Sequence, residues 1–310
     1  MSGASPAPGV SVPHPAPTWL PDAVASAGAR LVPPGPGTDA LLWFGGELDE
    51  LRAALASAPG CRWVQLPSAG VDSYVDGGLL KAPGVAWTSA KGAFSRPVAE
   101  HALALTLATL RHLPERARAR SWGEPTGTSL FGARVLVLGA GGIARTFLDL
   151  LAPFGTRNVV VRRRAEPVPG AERTVTTEHL HDELSRADVV VVAAALTTQT
   201  RALVGAAELS VMKPGAALVN IARGGLVDTD ALVAALTSGR LGGAALDVTD
   251  PEPLPDGHPL WDLPTALVTP HTADTREMIE PLLRARIEKN LRRFVAGQTL
   301  VGVVDPVAGY

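Results

Sequence analysis

Four consecutive valines, Val189–Val192, set between Asp188 and a short alanine run, give a strand that is apolar on both faces. Such a strand is stable only when both sides are covered, the condition of a central strand in a parallel sheet flanked by helices. Elsewhere short β-branched runs alternate with Ala/Leu-rich helical stretches, so the expected class is α/β, with doubly wound parallel sheets. Strands are expected over 10–12, 31–32, 40–44, 62–66 and 85–87, and then over 134–138, 158–161, 188–193, 217–221, 244–248 and 266–269. Helices are expected over 48–57, 97–110, 143–152 and 276–294, the last with Ile279, Leu283, Ile287, Leu291 and Phe294 on one face. Residues 121–132, rich in Gly, Pro, Ser and Thr, form a loop between the two series.

The 310 residues amount to about two ordinary domains. A net charge of −2 gives no electrostatic case for nucleic acid or an anionic membrane. No apolar run reaches the roughly 18 residues of a membrane span. Met1–Pro17 lacks both the basic start and the apolar stretch of a signal peptide, so a cytoplasmic location is expected. Cys61 is the only cysteine, which excludes an intrachain disulfide, and its strand-like surroundings point to a buried structural thiol.

Gly139, Gly141 and Gly142 follow the strand 134–138 and precede a helix, the context that a dinucleotide fingerprint requires. Glycines there allow a sharp turn and let backbone amides approach a pyrophosphate at the helix N-terminus. Ala144 takes the place of the third glycine and is small enough for helix-to-strand packing. The end of the next strand ordinarily supplies an acid for the ribose hydroxyls of NAD, but here it carries Arg162, Arg163 and Arg164. A guanidinium suits a 2′-phosphate, so NADP is preferred, with NAD possible and Glu166 within reach of a ribose.

Three titratable or charged residues end later strands. Arg223 follows Asn220-Ile221-Ala222, Glu252 stands between Pro251 and Pro253, and His271 closes Thr269-Pro270-His271. In open α/β sheets ligands bind beyond the carboxyl ends of the strands, which brings these segments to the same edge as the glycine turn. Reduction of a 2-keto acid needs a cation near the carboxylate and carbonyl, here Arg223, and an acid to protonate the oxygen, here His271. With an ordinary histidine pKa of about 6.5, a partner such as Glu252 favours the proton-donating imidazolium.

The chain resembles the D-isomer-specific 2-hydroxyacid dehydrogenase family from about Trp63 to Asp305. The likeness rests on those three motifs together with Gln65-Leu66-Pro67-Ser68-Ala69-Gly70-Val71-Asp72, Val98-Ala99-Glu100-His101, Leu196-Thr197 with Thr200, Met212-Lys213-Pro214-Gly215 and His258-Pro259-Leu260-Trp261. The resemblance implies a Rossmann cofactor domain, 99–274, inserted into a flavodoxin-like substrate domain made of 1–98 and 275–310. It makes Arg223, Glu252 and His271 catalytic and gives the substrate carboxylate to Ala69, Gly70 and Arg223. The cofactor is expected at Gly139, Gly141, Gly142, Ile143, Arg162, Arg163, Leu196, Thr197 and Ala222, and the resemblance gives Asp247 the nicotinamide carboxamide. Ala195 departs from the family, which has proline before the Leu-Thr pair. The implied activity is that of a glyoxylate/hydroxypyruvate reductase-like homodimer. The alternatives are a nucleotide-sensing protein of the corepressor type or a dehydrogenase of a phosphorylated hydroxy acid.

Other residues have plainer readings. Glu100 and His101 sit on a domain-boundary helix and read as structural. His179 and His181 are two apart on a helix, point to different faces and make no metal site, and no other Cys/His spacing makes one. The basic stretch 111–120 is a solvated face, and Trp19 or Trp43 is a candidate wall of the substrate pocket.

Overall fold

The computed structural model describes residues 6–306, so the first five residues of the Pro/Ser-rich start lie outside the description. The chain divides into two compact units, Met1–Phe94 with Arg276–Tyr310, and Ser95–Thr275. The helix Ser95–Leu110 begins with the second unit, so a boundary at 98–99 would cut its first turn.

In the first unit β1 (Gly9–Ser11), β2 (Arg30–Leu31), β3 (Ala40–Leu42), β4 (Trp63–Gln65) and β5 (Ala86–Thr88) form a parallel sheet in the order β2-β1-β3-β4-β5. This is the flavodoxin-like order. Alternate side chains leave opposite faces of each strand. Leu41, Val64 and Leu66 therefore join one apolar layer with Leu51 and Leu79, while Ala40, Leu42 and Trp63 join another with Val10 and Leu20. The last helix, Arg276–Val295, closes that second layer with Ile287 and Leu291. Cys61 is buried in the first layer, and burial pushes its thiol pKa up.

A buried polar network under β4 and β5 ties this helix to the sheet. Asn290 Nδ2 donates to Gln65 Oε1 at 2.9 Å, which also accepts from Thr88 Oγ1 at 2.9 Å. The Trp63 indole N–H donates to the same Thr88 hydroxyl at 2.8 Å. Because an unmade buried hydrogen bond costs about 1–3 kcal/mol, this network fixes the base of the 68–71 loop that follows β4.

The second unit holds β6 (Arg134–Leu138), β7 (Arg157–Val161), β8 (Arg173–Val175), β9 (Val189–Val192), β10 (Ala217–Asn220), β11 (Gly243–Leu246) and β12 (Ala266–Val268). All are parallel, in the order β12-β11-β10-β9-β6-β7-β8. The order runs outward in both directions from β6, as in a dinucleotide-binding sheet, with the switch point between β6 and β9. Val189–Val192 is fully buried next to that point, as its two apolar faces demand. The short edge strand β8 is the one element of this sheet outside the expected set. The loop 121–132 carries no helix or strand and is fastened by Arg116, whose guanidinium donates to Glu124 O and, at 2.9 Å, to Thr126 Oγ1.

Candidate active site

The glycine turn sits at the switch point. Gly139 has φ +110°, donates its N–H to Val161 O at 2.8 Å, and has so little room that a Cβ would stand 2.5 Å from Ala193 O. Only glycine satisfies both the backbone and the space. Gly141 differs, since nothing lies within 4 Å of where its Cβ would be. It precedes the helix Gly142–Leu151, whose N-terminus has no side-chain cap. Uncapped first-turn amides beside an open glycine form a cradle for an anion, which fits the pyrophosphate of a dinucleotide.

Arg162 directly follows β7, and its side chain is one-fifth exposed. Its Nη2 lies 3.3 Å from Glu166 Oε2, and Arg164 Nε lies 3.9 Å from the other oxygen of the same carboxylate. Glu166 is thus engaged by two arginines. On the opposite side of the switch point, Thr200 braces the loop that begins at Ala195. Its hydroxyl donates to Ala195 O at 2.7 Å and accepts from Thr197 N at 2.8 Å, closing the loop that carries Leu196 and Thr197.

Arg223, Glu252 and His271 follow three neighbouring strands, β10, β11 and β12. The Asn220 side chain shapes the first turn, accepting from Ala222 N at 3.1 Å and donating to Arg223 O at 2.9 Å. Gly224 then lets this turn lie against the next one, since a Cβ there would fall 1.9 Å from Thr249 O. Glu252 lies between two cis peptide bonds, Asp250-Pro251 and Glu252-Pro253. Its Oε1 lies 2.7 Å from His271 Nδ1. A carboxylate accepts from Nδ1–H, leaving Nε2 as the nitrogen that gives or takes a proton. Both side chains are a little under half exposed, so a substrate can reach them.

Asp247, at the end of β11, is 1% exposed. Its Oδ1 accepts from Thr269 Oγ1 at 2.6 Å and from Thr272 N at 2.9 Å, and Oδ2 accepts from Ala273 N at 3.1 Å. Burial alone would raise its pKa. Hydrogen bonds from His101, Thr269 and the two amides win, and lower it to about 2. Asp274, three residues after His271, carries no motif that marks it in the sequence. Burial raises its carboxyl pKa, the nearby Asp247 adds to the rise, and the charges of His271 and Arg223 oppose it. Only proximity to the Thr-Pro-His motif could have flagged it.

In the first unit, Ala69 and Gly70 lie half-buried in the loop after β4, where Ser68 Oγ donates to Gly70 O at 2.6 Å and Ser68 O accepts from Ala90 N at 2.8 Å. His179 and His181 lie in adjoining helical turns, and His181 Nε2 is 2.8 Å from Glu208 Oε1. Among the described residues no group of three His, Cys, Asp or Glu side chains is placed to hold a metal.

Known proteins share this architecture. Residues 103–273 match the family described as D-isomer specific 2-hydroxyacid dehydrogenase, NAD binding domain. The D-3-phosphoglycerate dehydrogenase of Mycobacterium tuberculosis is 34% identical across 89% of this chain, which spans only 54% of that protein's length. The glyoxylate reductase of Aeropyrum pernix is 31% identical, across 81% of this chain and 78% of its own. A D-isomer specific 2-hydroxyacid dehydrogenase from Xanthobacter autotrophicus Py2, solved with NADPH and MES, has a TM-score of 0.82 at 30% identity over 99% of this chain and 100% of its own. The chain therefore belongs to the D-isomer-specific 2-hydroxyacid dehydrogenase family, oxidoreductases that exchange a hydride between a nicotinamide cofactor and a 2-keto or 2-hydroxy acid.

Proposed function

We propose that this chain reduces a small 2-keto acid of the glyoxylate or hydroxypyruvate kind to its D-2-hydroxy acid, with NADPH preferred and NADH accepted. The carrying observation is the 2.7 Å contact between His271 Nδ1 and Glu252, on strand ends adjoining that of Arg223. Arg223 is the cation for the substrate carboxylate, and its guanidinium polarises the carbonyl. Nε2 of His271 donates the proton to the carbonyl oxygen as the carbon is reduced, and Glu252 stabilises the charge on the ring beforehand. In the reverse direction neutral His271 is the base. The bound nicotinamide supplies the hydride.

Gly139, Gly141, Gly142 and Ile143 would hold the pyrophosphate, with Arg162 and Arg163 at the 2′-phosphate. Leu196, Thr197 and Ala222 would line the path to the nicotinamide, while Asp247, fully buried, holds the 271–273 loop. The glyoxylate reductase relative supports the substrate class, and the NADPH-bound structure supports the cofactor. The phosphoglycerate relatives are about twice as long, so their substrate is not carried over.

A homodimer through the second unit accounts for Leu113, Trp122 and Phe131, which are 53%, 97% and 69% exposed. A cytoplasmic location accords with the single, buried thiol. The test is oxidation of NADPH and NADH with a panel of 2-keto acids, glyoxylate and hydroxypyruvate first. NADPH binding without turnover on any of them would favour a nucleotide-sensing protein instead.

A further inference from the structure

We propose that His101 is a positioning residue for the His271 loop, acting through Thr269 and the buried carboxylate of Asp247. The inference rests on the catalytic reading of His271 but stands on a separate set of contacts, all within the second unit.

His271 has φ +50°, a left-handed conformation that is unfavourable for a side-chain-bearing residue. The surrounding structure must hold it there. Asp247 does so at three successive residues. Its backbone carbonyl accepts from His271 N at 2.8 Å, its Oδ1 from Thr272 N at 2.9 Å, and its Oδ2 from Ala273 N at 3.1 Å. The loop can keep this shape only while the carboxylate stays ionised and correctly rotated.

Two side chains set that rotation. Thr269 Oγ1 donates to Oδ1 at 2.6 Å. Having given its proton to Asp247, the hydroxyl accepts from His101 Nε2, which lies 3.1 Å from Thr269 Oγ1 and 3.3 Å from Asp247 Oδ1. His101 reaches in from the helix Ser95–Leu110, which packs against β10, β11 and β12. It is three-quarters buried, and Asp247 is fully so, hence water competes little for these bonds. Donors thus arrive from the helix, from β12 and from the loop itself, and all converge on one carboxylate. The outcome is a latch whose moving part is the loop that carries the proton donor.

The test compares the full chain with His101→Leu, which removes the donor, and His101→Gln, which keeps one. Hydrogen exchange of the 271–273 amides is read alongside steady-state kinetics with NADPH. Loss of a hydrogen bond to a charged group is expected to speed exchange at Thr272 and Ala273 about tenfold or more in H101L, with β6 and β9 unaffected. Turnover should fall about tenfold or more while both KM values move less than about threefold, and H101Q should recover most of the loss. If H101L folds poorly, Thr269→Val opens the same latch from β12 and should release the same two amides. Unchanged exchange at 272–273 in a folded variant, or H101Q behaving as H101L does, would overturn the proposal. The exchange measurement needs no substrate. It therefore decides the latch even if no 2-keto acid is turned over, and that second failure would count against the proposed function alone.

Discussion

The two ends of the seven-stranded sheet are built differently. At the β6–β7 end the groups proposed to face a cofactor are backbone amides and arginines, and their neighbours are glycine turns and the exposed Glu166. At the β10–β12 end the groups proposed to perform chemistry are held by hydrogen-bonded polar residues, the buried Asn220 and Asp247 and the partly buried Thr269. Binding a large polyanion tolerates some looseness, because charge acts over several ångströms. Proton transfer does not, because it needs hydrogen-bond distance and alignment. Substitutions at the first end should therefore change cofactor choice with little effect on folding. Those at the second should cost rate and stability together.

The largest separation of the two ends is expected at Arg223. Arg223→Ala should reduce kcat/KM for glyoxylate about a thousandfold, with both kcat and KM affected, since a charge-assisted contact to the reacting oxygen is lost. Steady-state kinetics with NADPH affinity measured alongside would check it, and a parallel loss of NADPH affinity would erase the contrast.

Next comes Gly224→Ala. A Cβ placed 1.9 Å from Thr249 O must push the β11 turn away, at about 1–3 kcal/mol of stability by denaturant titration. The activity loss should exceed the loss in NADPH affinity.

Asp247 gives a pH signature. Its folded pKa of about 2 lies below the ordinary 3.8, so it stabilises the fold above pH 3.8, and the contribution is lost as pH falls towards 2. At pH 7 this amounts to about 2 kcal/mol for a buried group, and at pH 3 to about half of that. The stability gap between wild type and Asp247→Asn should narrow accordingly on acidification, and a gap independent of pH would contradict the assignment.

The smallest structural effect belongs to the β7 end. Replacing Arg162 and Arg163 by Ala should weaken NADPH about tenfold or more and NADH by less than about twofold, with unfolding midpoints nearly unchanged. Equal losses for both cofactors would argue against a 2′-phosphate contact.

What the sequence shows and what it hides follow the same division. The strands, the glycine turn and the three candidate-site motifs were legible because each depends on local pattern: period-two burial, a strand–turn–helix context, a loop edged by proline. Even Leu48–Ser57 has the expected limits. The edge strand β8 escaped because Arg173-Thr174-Val175 is short, polar at two of its three residues and nowhere fully buried. The role of His101 was hidden for a different reason. Its partner Thr269 is 168 residues away, and no local spacing signals such a contact. Arg162 lay between the two cases, since its position was evident but its pairing with Glu166 came only with the fold.

The central claim is that binding and chemistry occupy separable ends of one sheet edge, with His271 the proton donor. The most direct test measures NADPH affinity by fluorescence titration and hydroxypyruvate turnover on the same preparation of His271→Ala. The account predicts an affinity within about twofold of wild type and a turnover lower by a factor on the order of 100–10,000. Wild-type turnover in that variant, or affinity and turnover lost in proportion, would contradict it.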